Sequence, residues 1–111
     1  MNQLIIVGTV GKDPELRFSN NGLPIASLSV ATNYGKDEKK TTAWHYVTIF
    51  GEMAEHVAES IRKGSRVIVV GRLDKSQYEK DGVTRDSVSV IAEHVGLELR
   101  FGTASNESNN F

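Results

Sequence analysis

Along AWHYVTIFGE, from Ala43 to Glu52, Val47 and Ile49 alternate with Trp44, Tyr46, Thr48 and Phe50. A strand sends successive side chains to opposite faces, so this stretch predicts a strand with Val47 and Ile49 turned to a core. The other face then carries three aromatic rings where polar side chains are usual. Leu4 to Val10 is short, apolar and β-branched and stops at the turn-like Gly11-Lys12-Asp13-Pro14. Asn20, Asn21 and Gly22 mark a second turn, after which PIASLSVATNY sets Leu28 and Val30 opposite Ser27 and Ser29. Gly35 to Thr42, GKDEKKTT, reads as a charged hairpin connection.

From Glu52 to Lys63 the period changes from two to about 3.6. Ala54, Val57, Ala58 and Ile61 form an apolar stripe, with Glu52, Glu55, Glu59, Arg62 and Lys63 away from it. Acids first, bases last and Gly64 as the C′ stop describe one helix. Arg66 to Leu73 reads as a strand with Gly71 at a bend or bulge. Lys80-Asp81-Gly82 signals a hairpin between Asp74 to Tyr78 and Arg85 to Ile91.

Three strands, a helix and two further strands predict a mainly β OB-fold: a five-stranded Greek-key barrel with one helix between strands three and four. Another α+β sheet is the alternative. The domain is expected over residues 1–101, and residues 102–111, the polar GTASNESNNF, as a short disordered C-terminal tail.

Composition narrows the chemistry. The 111 residues suffice for one domain with a modest core. No cysteine is present, which removes disulfides, thiolate nucleophiles and cysteine-ligated zinc and is compatible with a cytoplasmic location. MNQLIIVGTV lacks a basic leader and is too short an apolar run to span a membrane. Thirteen basic and fourteen acidic residues give a net charge of −1, so any anion-binding face must come from segregated charge.

Several markers are specific at their spacings: Met1-Asn2, Gly8, Asp13-Pro14-Glu15-Leu16-Arg17, Trp44-His45, Phe50-Gly51, Ala54-Glu55, Lys63-Gly64 and Gly71-Arg72-Leu73. Together, over about the first hundred residues, they resemble the bacterial single-stranded DNA-binding protein family. The resemblance implies a cytoplasmic, nucleoid-associated OB-fold protein that assembles as a homotetramer and wraps single-stranded DNA without sequence preference in replication, recombination and repair. It also accounts for the rings, because unstacked bases offer a π-face whatever their identity.

Trp44 and Phe50 match stacking positions of the family. From periodicity alone, Trp44 is equally a tryptophan buried under a loop or at a subunit contact. Tyr78 aligns with an aromatic on a protruding hairpin, its alternative being an ordinary cross-strand tyrosine. Tyr34 falls near another family aromatic where loop lengths vary, and Tyr46 has no fixed aromatic counterpart. Arg17, Lys63, Arg72 and Arg85 fall where the family tends to carry phosphate-contacting charge, against the plain alternative of solvation. Lys36, Lys39, Lys40 and Lys75 sit beside acids and are weaker candidates. Glu52 and Asp74 are acidic where relatives are often basic, and Ser76 and Gln77 are neutral, which predicts a weaker binder weighted toward stacking.

Other chemistry finds little footing. His45, His56 and His94 do not form a metal set, and the resemblance implies that His45 is a structural histidine near a subunit contact. Gly8 to Lys12 lacks the spacing of a phosphate loop. No cofactor, metal or catalytic group is called for. The resemblance includes a tail ending in an acidic cluster and Pro-Phe that recruits replication and repair enzymes. Here Phe111 is in place with no adjacent proline, and Glu107 is the single nearby acid, so the sequence is either cut short or a short version of the family, and recruitment through the tail is in doubt. Two rivals stay open: an OB-fold protein-interaction module of the primosome-accessory type, with Trp44 already occluded, and a nuclease drawing on Asp13, Glu15, Asp74 and Asp86.

Overall fold

The computed structural model describes residues 2–35 and 41–105; Met1, Lys36, Lys39, Lys40, Glu107 and Phe111 lie outside the described residues. Its elements are β1 (Leu4–Val10), β2 (Glu15–Phe18), β3 (Pro24–Tyr34), β4 (Thr41–Phe50), α1 (Glu52–Ser60), β5 (Arg66–Lys80) and β6 (Val83–Leu97). The strands form one sheet in the order β1-β5-β6-β4-β3-β2, and an additional β1–β3 pairing closes five of them into a barrel. All pairings are antiparallel except β4 with β6.

The interior is thin and valine-rich. Val10, Val30, Val47, Ile49, Val67 and Val69 are fully buried, and Ala54, Val57 and Ile61 seal the barrel from the helix side. β-Branched residues suit this space, because they pack well on pleated surfaces and lose little rotamer freedom there.

Three boundaries differ from the sequence expectation. A sixth strand, β2, pairs with residues 24–27 of β3, so the helix follows the fourth strand in chain order and the third strand of the closed barrel. All four β2 residues are exposed, so no alternation of apolar and polar positions announced it. The helix ends at Ser60 rather than Lys63, because Ile61 turns to extended backbone and drives its side chain into the core. Arg62 then folds back, and its guanidinium donates to the carbonyls of Ala58 and Ile61, satisfying acceptors the helix leaves open. Gly64, at φ +91°, therefore belongs to the turn into β5 and not to the helix cap.

Beyond the barrel, β5 and β6 continue as a two-stranded arm. Asp81 and Gly82 both have positive φ, the requirement of a tight I′ hairpin turn. The register shifts at Val70/Gly71, leaving Glu93 as the extra residue of a bulge. A Cβ on Gly71 would collide with the carbonyl oxygen of Ile91, so the bulge requires glycine where the backbones approach. Asn2 Oδ1 accepts a 2.8 Å hydrogen bond from the Leu73 amide and ties the start of the chain to the base of the arm.

Candidate nucleic-acid interface

Strand registers decide which side chains share the outer wall. Val47 and Ile49 point inward, so Trp44, Tyr46, Thr48 and Phe50 point out, at 52%, 61%, intermediate and 43% exposure. Opposite them on β3 lie Ala31, Ser29, Ser27 and Ile25. These small and polar residues form a low floor from which the rings rise. Ile25 is the apolar exception, buried in the row of Phe50. The sequence pattern set Ser27 and Ser29 outside, but it gave no sign that they would flank the aromatic strand.

The rows continue on both sides. Arg17 of β2 pairs with Ile25, which pairs with Phe50. Thr48 pairs with Ile91, and Ile91 with Arg72. Arg72 and Tyr78 therefore lie on the outer face of β5, and Arg85 stands directly opposite Tyr78 on the arm. Seven of the candidates thus join one continuous face: Trp44, Tyr46, Phe50, Arg17, Arg72 and, on the arm, Tyr78 and Arg85. Tyr34, exposed at the far end of β3, does not share this outer wall: it pairs with Thr41 and has the strand parity of inward Leu28 and Val30, so it emerges on the other face beyond the core. Lys63 is not on a strand. Its backbone amide donates to Asp13 Oδ1 at 2.8 Å, which places it by the loop after β1.

Charge on this face is sparse and uneven. Among the described residues, Arg17, Arg72 and Arg85 have no ion-pair partner. Lys12 and Lys75 pair at 3.4 and 3.3 Å with Glu15 and Asp86. Glu15 lies on the outer face, in the row Glu15–Ser27–Thr48–Ile91–Arg72. Asp74 faces Ser89 on the same side of the arm as Tyr78. Each acid works against a nearby phosphate.

The remaining candidates have local roles. His45 is half-buried on the inner side of β4, its Nε2 3.0 Å from Thr32 Oγ1. Of the four carboxylates a nuclease would gather, three are separately engaged: Asp13 with the Lys63 amide, Glu15 with Lys12, and Asp86 with Lys75 and Gln77; the fourth, Asp74, lies on the arm opposite Ser89. No helix among the described residues is long and apolar enough to cross a membrane. In comparison with known proteins, residues 1–98 match the model of the single-strand binding protein family.

Proposed function

The chain belongs to the single-strand binding protein family, and on that premise we propose that it coats single-stranded DNA without sequence preference during replication, recombination and repair in the bacterial cytoplasm. Trp44, Phe50 and Tyr78 stack on bases, Tyr46 extends the platform, Tyr34 meets the strand only where it passes the far end of β3, and Arg17, Arg72, Arg85 and Lys63 hold phosphates. The protein acts by binding alone, without cofactor or catalysis.

The spacing of the rings on β4 carries this reading. Alternate side chains on a strand stand about 6.7 Å apart, whereas bases in a duplex rise by about 3.4 Å. Trp44 and Tyr46 are alternate positions and Phe50 lies four further on. Such rings meet bases only when a strand is drawn out and its bases are parted, which a duplex forbids. The rings therefore select for strandedness and ignore sequence. The protein-interaction rival needs Trp44 occluded, and within the single chain Trp44 is 52% exposed, so any occlusion would have to come from a second molecule.

Titration of Trp44 fluorescence tests the reading, since it is the sole tryptophan. Poly-deoxythymidine should quench it strongly, and a matched duplex should leave it unchanged at the same concentration. Silence toward both would move the protein-partner reading ahead.

Salt dependence separates stacking from charge. Each neutralised phosphate on a single strand contributes about −0.7 to the slope of log K against log salt. With Arg17, Arg72 and Arg85 unpaired and Lys63 at the margin, a slope of about −2 to −3 is expected for one protomer on an oligo-deoxythymidine of about eight nucleotides. A slope steeper than about −5 would contradict a stacking-weighted binder.

We further propose assembly into a homo-oligomer, a tetramer by family resemblance. Ile5 and Val7 on β1 pair with Val70 and Ile68 on β5, and this outward apolar patch lies across the barrel from β4. Over residues 4–7, β1 pairs with β5 on one side, while its pairing with β3 involves Thr9 and Val10. The other edge of that stretch is free to accept a second copy.

A further inference from the structure

We infer that Gly11 is a positioning residue for Trp44, a role that rests on the stacking reading above. Several glycines of this chain are required by their own backbone conformation. Gly22, Gly64 and Gly82 have positive φ with nothing within 4 Å of where a Cβ would stand, so their backbone conformation demands glycine. Gly11 is the reverse. Its φ lies outside the left-handed region, so its backbone would accept any residue, but a Cβ there would run into the six-membered ring of Trp44.

The backbone at Gly11 cannot withdraw. Its amide donates to the Ser29 carbonyl at 2.9 Å. The preceding Val10 is held from the other side, its amide on the Ser65 carbonyl and its own carbonyl accepting from the Gly64 amide, both at 2.8 Å. Val10 itself is buried in the core. With the main chain fixed on both sides, a side chain at position 11 displaces the ring. Glycine thus gives the indole a bare main-chain seat. The seat supports one side of the ring and leaves the rest open, consistent with half exposure. A ring held in place before binding loses less freedom when a base arrives, and a ring supported on one side offers a base one face only.

The test pairs Gly11→Ala with Trp44→Leu in the full chain, read in two ways. In the free protein, Gly11→Ala should shift Trp44 emission and raise its quenching by acrylamide, with the far-ultraviolet circular dichroism unchanged. Affinity for oligo-deoxythymidine should fall about five- to tenfold, a part of the value of one stacked base. In the Trp44→Leu background the same Gly11→Ala change should have no effect on affinity, because the ring it acts through is gone and leucine leaves room for the methyl. Unaltered emission and quenching in free Gly11→Ala would overturn the inference. So would an equal loss of affinity in both backgrounds. If Trp44→Leu alone binds like the parent, the stacking reading is the one that fails; displacement of the ring is still judged on the free protein.

Discussion

Replacing Trp44 and Phe50 together by alanine should lower affinity for oligo-deoxythymidine by about 30-fold to 10⁴-fold. The range follows from about 1–3 kcal/mol per stacked base, the usual cost of an alanine substitution at a base-stacking aromatic. The two rings are six residues apart on β4, about 20 Å along a strand. At that distance their losses should add, with little coupling. Both side chains project from the outer wall, while the core beneath β4 is made by Val47 and Ile49. The double variant should therefore fold and melt close to the parent. Its residual binding should keep the salt slope of the parent, since Arg17, Arg72 and Arg85 remain. Isothermal titration at two salt concentrations checks both points. Binding within twofold of the parent would show that the rings are not the platform.

The outer face was legible in the sequence because β4 is a strict alternation. Once Val47 and Ile49 are assigned to the core, the direction of Trp44, Tyr46 and Phe50 follows from geometry alone. The Asp81-Gly82 turn was equally plain, since few dipeptides accept positive φ twice. What joined these pieces was not legible. That Arg72 and Arg85 would share a wall with Trp44 depends on β6 pairing in parallel with β4, through Val47 with Val90 and Thr48 with Ile91. Such a pairing joins residues more than forty positions apart, and no local pattern encodes it. β2 escaped for the opposite reason: it is short, exposed on every residue, and held by its ladder to β3 rather than by burial. The helix end was misplaced because Ile61 continues the apolar stripe in sequence while leaving the helix in space. Periodicity reports that a residue is buried, not which backbone conformation buries it. Gly11 illustrates the same limit, since a glycine required by a neighbouring ring looks in sequence like a glycine required by a turn.

With Glu15 and Asp74 on the same wall as the three unpaired arginines, backbone attraction on one protomer is modest. On the proposed function, a coat that persists on long DNA would depend on linking several faces, so that each bound protomer raises the effective concentration of the next along the strand.

Substituting Ile5→Glu together with Ile68→Glu should separate the two contributions. Ile5 is 65% exposed and Ile68 37% in the single chain, so a charge at either position is solvated in an isolated protomer and should leave its fold intact. In an assembly that covers this patch, each carboxylate would lose its water without gaining a partner, at a cost of several kcal/mol per buried charge. Every copy carries both substitutions, so each symmetric contact is struck more than once. Sedimentation at micromolar concentration should show the variant at the mass of a single chain and the parent at a multiple of it. Affinity for an oligo-deoxythymidine of about eight nucleotides, within the reach of one OB-fold, should be unchanged, because Trp44, Phe50 and the arginines lie on another sector of the wall. Affinity for poly-deoxythymidine should fall by about 10²–10⁴-fold, the loss expected when linked sites become independent. Parent-like sedimentation of the double variant would place the contact between copies elsewhere. An equal loss on short and long strands would mean that the patch supports the binding face itself.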